Sequence, residues 1–589
     1  MEENKKFDVN SIIGFALIGL IMFIYFNWFM PKPETQLDKE QVVVQTEQVV
    51  ESKPIVTTPA MTGNFTSTAF EKEVVLQNDL LNLTLSSKGA KIKIAEVKQY
   101  QSYEQKREDH QGKLLLITEE NADFNIKFTE NAQVVNTRDL IFNTTQNDNQ
   151  VIFSTQTDSG GDLKIIYTLK ENYLVEFDIQ TTGLIITEKP TLQFDLKALA
   201  HEKGRSQELL KTDFHYALDK LKDVDYTASD VIENNIDWVA YKGQFFSVIL
   251  DNQKAFDSSK MVLTNLDDSI YLKKFEMEST FSDHSLNANM QWYIGPNDRD
   301  LMSSHDRDYQ EVIPFGWFIF GILNKWFFIP MYKFLASLGW FGGGIVIMIM
   351  TIIVKLVTAP IMHKQYKQGA IMRVLRPELD EINEKHKDAD AMKRQQATME
   401  LYRKAGVNPM AGCIPALLQM PIFLALFNLF PNLINLRGKS FLWADDLSAY
   451  DSVIQLPFEI PMYGAHVSLF TLMYAISMFI YTRLSSSNIQ QPTQPGMPDM
   501  RYIMYFMPIM LVVWINSYAS GLSWYYFVSN TISIVLVLVI KKFFIDEDKI
   551  HAQLQENKKK PKKKKGKFTR MLEEAQRQQA QQAAARKKK

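Results

Sequence analysis

The run of apolar and polar positions divides the chain into stretches of unlike character. Residues 12–30 (IIGFALIGLIMFIYFNWFM) form an uncharged apolar run of 19. At ~1.5 Å per residue such a helix crosses a ~30 Å hydrocarbon layer. The run is long for the apolar part of a signal peptide, and no small-x-small cleavage site follows, so residues 1–30 predict an N-terminal transmembrane helix. Residues 31–66 are rich in Pro, Thr, Gln, Val and Glu without helical period and predict a linker. Between 67 and 312 short β-branched and aromatic runs alternate with Asn, Asp, Gly and Ser clusters. They predict strands at 73–77, 80–85, 91–97, 113–117, 124–128, 151–154, 163–169, 173–179, 191–196, 238–250, 261–264, 270–275 and 288–294. That spacing argues a large antiparallel sandwich, with a helix added within 201–230.

The pattern then changes to long apolar runs. Residues 313–341 are aromatic-rich but interrupted by Lys325, Pro330 and Lys333, which predicts an amphipathic helix lying in the membrane interface with Trp and Lys at headgroup level. Residues 342–545 carry five further spans, at about 343–362, 411–436, 462–481, 502–517 and 522–540; with 12–30 they make six. Within them, 363–407 reads as a helical hairpin. Ile371, Leu375, Leu379 and Ile382 form its apolar stripe, Pro377 should kink its first arm, Asp388 and Asp390 mark the break, and Gly406 and Pro409 end the second arm.

Charge fixes the orientation. The segment 363–410 carries ten Lys or Arg, and the tail 546–589 is richer still, whereas 437–461 has Arg437 and Lys439 against Asp445, Asp446, Asp451 and Glu459. Positive loops belong inside, so both termini and the hairpin are expected in the cytoplasm and the β domain outside it. The expected fold is a polytopic α-helical membrane protein with six transmembrane helices, five of them the core, a large all-β exported domain and a cytoplasmic hairpin.

Little in the chain suggests catalysis. The single cysteine, Cys413, excludes an intrachain disulfide and a cysteine metal cluster. Gly438-Lys439-Ser440 imitates the end of a phosphate loop, but Leu433 stands where the first Gly is needed. HExxH and GxSxG are absent, and the histidines of the β domain (His110, His201, His215, His284) form no constellation. No enzyme activity, metal or cofactor is expected.

Lys355 is the informative residue, because it interrupts the run IVIMIMTIIVKLVTAPIM. An ammonium inside a span costs roughly 2.5–3.5 kcal/mol and normally faces water, a partner or a cavity. It lies eight residues from His363, ~12 Å below the cytoplasmic helix end, and a lysine stem spans about half that depth, so snorkelling is incomplete. Gln419 is eight residues into the next span, Ser529, Asn530 and Ser533 lie about 12–18 Å from the end of the last, and Thr351 is one turn above Lys355. Each polar group alone is an ordinary helix–helix hydrogen-bonding residue. Their common depth argues a wet, positively charged pocket beside Met-rich walls suited to varied apolar partners.

The residues NPMAGCIP at 408–415, LQMPIFLAL at 418–426, GL at 521–522, YY at 525–526 and VSN at 528–530 resemble the bacterial YidC branch of the YidC/Oxa insertase family, as do YIGP at 293–296 and GW at 316–317. The order of parts agrees over nearly the whole chain. The resemblance implies a β-supersandwich in the periplasm of the bacterial inner membrane, and a groove open to cytoplasm and lipid but closed outside. It implies that Lys355, Thr351, Gln419 and Tyr526 line that groove, where depth along the last span also puts Asn530. At position 355 the family usually has Arg; Lys keeps the charge and loses the bidentate fork. The implied partners are nascent membrane proteins, the Sec translocon, the ribosome and the lipid bilayer. The basic clusters at 558–567 and 587–589 suit ribosomal RNA phosphates and equally anionic lipids. The expected function is insertion and folding of membrane proteins. A small-anion transporter or channel and a periplasmic assembly scaffold are the rival readings.

Overall fold

The computed structural model describes residues 65–66, 70–103, 112–158, 160–218, 224–227, 231–386, 391–405, 414–461, 463–486, 500–543 and 545–559. The expected span at 12–30, most of the linker, His110, the hairpin break at 387–390, Cys413 and the lysine clusters from 560 onward lie outside them.

Strands fill the exported part. A 14-stranded antiparallel sheet is built around the strand Phe246–Asn265, which pairs with Val231–Lys242, Tyr271–Phe281 and Ala288–Pro296. A second sheet of four strands, Glu73–Gln77, Leu81–Ser86, Lys91–Gln101 and Lys113–Ile117, completes it. The alternation that marks these strands in the sequence puts every second side chain inward, as in Gln150–Thr157 and Thr191–Leu199. The aromatic members meet edge to face: Trp292 lies 5.0 Å from Phe194 and 6.2 Å from Phe124. Strands Gln133–Asn136, Asn143–Gln146, Asp213–Leu218 and Val224–Thr227 are additions to the expected set. Asn143–Gln146 (NTTQ) has no apolar alternation to announce it and pairs with one neighbour. The helix expected within 201–230 is α1 (Arg205–Leu210), and α2 (Arg299–Ser303) is capped by Asp298.

The aromatic segment forms α3 (Ile319–Leu323) and α4 (Ile329–Ser337), joined by a π-helical turn at Asn324–Phe328. Pro330 causes no break because it sits in the first turn of α4. Trp317, Phe318, Trp326, Phe334 and Trp340 remain exposed, while Phe328, Ile329, Tyr332 and Leu335 are buried. The two lysines are tied to acids of the chain rather than standing alone at headgroup level: Lys325 pairs with Glu311 at 2.7 Å and Lys333 with Asp300 at 2.7 Å.

In the helical region several boundaries differ from expectation. Helix α5 (Gly343–Val374) runs 32 residues without ending near 362, so the span and the first arm of the hairpin are one rod. It breaks at Leu375, and Pro377 falls in the first turn of α6 (Arg376–Lys385), so the expected kink is a helix restart. Leu375 and Leu379 pack against Leu401 and Tyr402 of α7 (Ala391–Ala405), and against Ile550 and Leu554 of α12 (Glu547–Lys559). The tail therefore begins as a docked helix, because Ile550 and Leu554, four residues apart, share one face.

The run 411–436 contains α8 (Ile414–Leu429) followed by two 3-10 turns, the first holding Pro431. The start expected at 462 is a hairpin of Ile454–Ile460 with Gly464–Val467, and the helix proper is α9 (Leu469–Ser486). Helices α10 (Met500–Ile515) and α11 (Ser520–Phe543) complete the bundle. Among the described residues, α5 and α11 are by themselves long and apolar enough to cross a bilayer.

Candidate functional site

Glycines let the loop residues Phe441 and Leu447 close in on α5 and α11. A Cβ on Gly344 would stand 2.1 Å from the Phe441 ring, and one on Gly521 would stand 3.0 Å from the Leu447 carbonyl. Trp524 Nε1 donates to the Gly344 carbonyl at 2.9 Å. Further along, Met362 and Tyr366 cluster with Val537 and Ile540. The two helices thus run in the same direction, and at equal rise Lys355 lies at the level of Ser529 and Ser533.

Lys355 is 5 % exposed and Thr351 fully buried, on the face of α5 that also buries Ile347 and Val354. The Thr351 hydroxyl donates back to the Ile347 carbonyl at 2.7 Å. Lys355 Nζ has no hydrogen bond or ion pair with the described residues.

The other expected residues are committed to packing among α8, α9 and α11. Tyr526 is buried, donates to the Phe423 carbonyl at 2.9 Å and stacks on the Phe423 ring at 4.7 Å. The Tyr474 ring lies 5.3 Å away. Asn530 is half-buried and its Nδ2 donates to Ser477 Oγ at 3.3 Å. Gln419 is half-buried on α8, beside the exposed Met420. Among the described residues no hydrogen bond joins Lys355 to Gln419, Tyr526 or Asn530. The structure gathers Tyr526 and Asn530 on one face of α11 and Thr351 and Lys355 on one face of α5.

A model of the YidC periplasmic domain matches residues 73–330, and a model of the 60Kd inner membrane protein matches residues 334–548. A membrane protein insertase YidC of Parabacteroides distasonis is 37 % identical, with 94 % of each chain covered. One from Bacteroides fragilis is 35 % identical, again with 94 % of each chain covered. The chain belongs to the YidC family of membrane protein insertases. Solved structures resemble it weakly: a galactose mutarotase related enzyme from Lactobacillus acidophilus reaches a TM-score of 0.26 at 10 % identity, covering 38 % of this chain and 97 % of its own.

Family membership makes the strand-rich part a periplasmic domain and the helices a membrane region. Where that region meets the periplasmic domain lies a cluster of buried polar side chains, of which Asp451 figured in the sequence only as loop charge. Asp451, fully buried, accepts from Ser468 Oγ at 2.5 Å, Trp443 Nε1 at 2.8 Å and the backbone amides of Leu469 and Phe470 at 2.9 and 3.1 Å. It therefore caps α9 and satisfies its first orphan donors. Ser468 passes the chain of bonds to Thr471, and Thr471 to Ser523 of α11 at 3.1 Å. Asn516 adds bonds to the Ser468 amide and the Tyr463 and His466 carbonyls. The available signal was Asp451 lying 18 residues before an apolar run, too far to be recognised as its cap.

Proposed function

We propose that the chain inserts and folds inner-membrane proteins, alone or with the Sec translocon, and that Lys355 supplies the positive charge that draws client segments into the cytoplasmic half of the bundle. The observation that carries this reading is the ammonium of Lys355, buried between membrane helices without a partner among the described residues. Such a charge is costly in place and serves an attraction for acidic client flanks and for water.

The reading includes six spans, counting 12–30, with both termini cytoplasmic. It includes a cytoplasmic hairpin (363–407), a basic tail that meets the ribosome or anionic lipid, and the divisions 31–66, 67–312 and 313–341 as linker, periplasmic domain and interfacial helix. Because Thr351 and Tyr526 are buried and Tyr526 is bonded to α8, they meet a client only after α8 parts from α11.

The test reconstitutes the protein in liposomes with a short single-span client carrying an acidic flank. Lys355→Arg is expected to insert it, Lys355→Ala to insert it poorly and Lys355→Glu to fail. Normal insertion of every client by Lys355→Glu would sink the charge role. Photocrosslinkers at Thr351, Gln419, Tyr526 and Asn530 report whether the client passes between α5, α8 and α11.

A further inference from the structure

At the cytoplasmic end of the bundle a cavity of 510 Å³ opens between α5, α9 and α11. Its two halves differ in chemistry. One half is apolar and faces outward: Phe479 of α9 and Leu538 of α11 are 45 % and 50 % exposed on the outer surface of the bundle. The other half brings together Arg373 of α5, Arg483 of α9 and Lys541 of α11, with Tyr366 behind them, its hydroxyl 3.3 Å from Ser485 Oγ. Among the described residues no carboxylate lines the cavity.

Depth decides what fits. Lys541 lies 21 residues from the start of α11 at Ser520, about 32 Å of rise, which matches the thickness of the hydrocarbon core. Tyr366 lies 23 residues from Gly343, a similar distance along α5. Lys541 therefore sits at the cytoplasmic headgroup boundary with Arg483 lining the same cavity, Arg373 lies about two turns further out, and the exposed phenylalanine and leucine lie about one turn below Arg483 and Lys541 in the acyl layer.

We propose that this cavity is a binding site for one anionic phospholipid, its phosphate held by Arg483 and Lys541 and its acyl chains laid against Phe479 and Leu538. A guanidinium and an ammonium at the mouth of an apolar cavity attract a phosphate, and the guanidinium fork of Arg483 suits its oxygens. A free phosphate ion uses the cations but gains nothing from the apolar wall, whereas a diacyl lipid uses both halves. The site joins the rod α5, which continues into the hairpin, to α9 and α11, so a bound lipid holds the base of the hairpin against the bundle. This goes beyond the insertase reading and requires only that these helices lie in a bilayer.

The test uses the full chain purified in mild detergent and incubated with vesicles of phosphatidylcholine containing either phosphatidylglycerol or no anionic lipid. Lipid co-isolated with the protein is counted by native mass spectrometry, with a photoactivatable residue at Phe479 as reporter. Wild type should retain one phosphatidylglycerol in preference to phosphatidylcholine, and 10 mM inorganic phosphate (about that level, far above any specific need) should not displace it. Arg483→Gln with Lys541→Gln should reduce that preference roughly 10- to 30-fold, at about a kcal/mol per cation. Arg483→Lys with Lys541→Arg should keep it. Equal retention of both lipids by wild type, or an unchanged preference in the double Gln variant, overturns the proposal. So does displacement by phosphate alone, or crosslinking at 479 to an acidic client peptide in place of lipid. Client insertion into vesicles of neutral lipid, measured on the same variants, should be near normal, which separates this site from the role of Lys355.

Discussion

The guanidinium of Arg437, in the loop after α8, clasps the carboxylate of Glu202 in the periplasmic domain, its Nε lying 2.8 and 3.0 Å from the two oxygens, with both side chains 8 % exposed. The pair is the centre of an interface between the two parts of the chain. Arg437 also donates to the Gln101 carbonyl and lies 5.0 Å from the Phe246 ring, Lys203 pairs with Asp445 at 3.3 Å, and Gln244 donates to the Pro431 carbonyl. Removing one member of a buried pair leaves the other charge desolvated and costs about 3–5 kcal/mol. Arg437→Ala or Glu202→Ala should therefore loosen docking strongly, and Arg437→Met with Glu202→Leu should recover much of it. Proteolysis rates between the two parts, compared across this cycle, check the coupling; additive effects of the single changes would refute it.

Gly344 is a second fixed point. Gly344→Ala drives a methyl into the Phe441 ring and pushes α5 away from α11, breaking the Trp524 bond to the Gly344 carbonyl. Overpacking of this kind costs about 1–3 kcal/mol. Thermal unfolding in detergent should fall by several degrees for Gly344→Ala. Trimming the ring in the pair Gly344→Ala with Phe441→Leu should restore part of the loss.

What the sequence made legible follows from the periods of its apolar residues. Strands with strict alternation, such as Glu73–Gln77, were placed at their observed bounds, and Lys355 stood out because one charge in an apolar run has no ordinary reason to be there. The end of α5 was not legible, because after Pro360 the helix continues as an amphipathic rod, and a change from uniform to one-sided apolarity looks like a boundary while the backbone does not notice it. Helix α9 began late because its cap, Asp451, comes from the far side of a hairpin. Tyr526 was expected in an open groove; its ring and hydroxyl are engaged by Phe423, a contact across about a hundred residues that no local pattern records.

Lys211 makes the same interface sensitive to pH. Its Nζ donates to Asn432 Oδ1 at 2.7 Å across the two parts, and Lys242 Nζ is bonded to the Lys211 carbonyl at 2.5 Å. Burial first, and the neighbouring Lys242 charge second, lower the Lys211 amine to about 7 from an ordinary 10.5. Between these values the unfolded or undocked chain holds the proton more tightly than the docked one, so stability rises as pH climbs from about 7 towards 10.5 and is flat below 7 on this account. The slope should approach but not reach 1.4 kcal/mol per pH unit. Lys211→Met should remove most of it, leaving a smaller part from Lys273, which burial also lowers. Denaturation midpoints at pH 7, 8 and 9 (about evenly spaced through the window) measure the slope, and a wild-type midpoint that stays level would count against it.

The docked tail helix predicts a dependence of the hairpin on α12. Ile550 and Leu554 are nearly fully buried against Leu375, Leu379, Leu401 and Tyr402. Leu554→Asp places a charge in that cluster, and truncating a buried Leu alone costs about 2–5 kcal/mol. The hairpin should then exchange amide hydrogens faster at α6 and α7 with α8–α11 unchanged. Protection left intact at α6 would mean that α12 does not hold the hairpin.

Lys355 sets stability against function. If its ammonium is retained for clients, replacing it with an apolar side chain of similar length should relieve a cost of roughly 2.5–3.5 kcal/mol on membrane scales and make the bundle more stable. Lys355→Met is therefore expected to raise the unfolding temperature in lipid nanodiscs while lowering insertion of clients with acidic flanks and sparing wholly apolar ones. Lys355→Arg should keep insertion, because charge and not a bidentate fork is what a hydrated client flank requires. An opposite pair of results, with Lys355→Met less stable and equally active, would mean that the amine is a structural member of the helix packing, held by bonds that form in the bilayer, and that clients are attracted elsewhere.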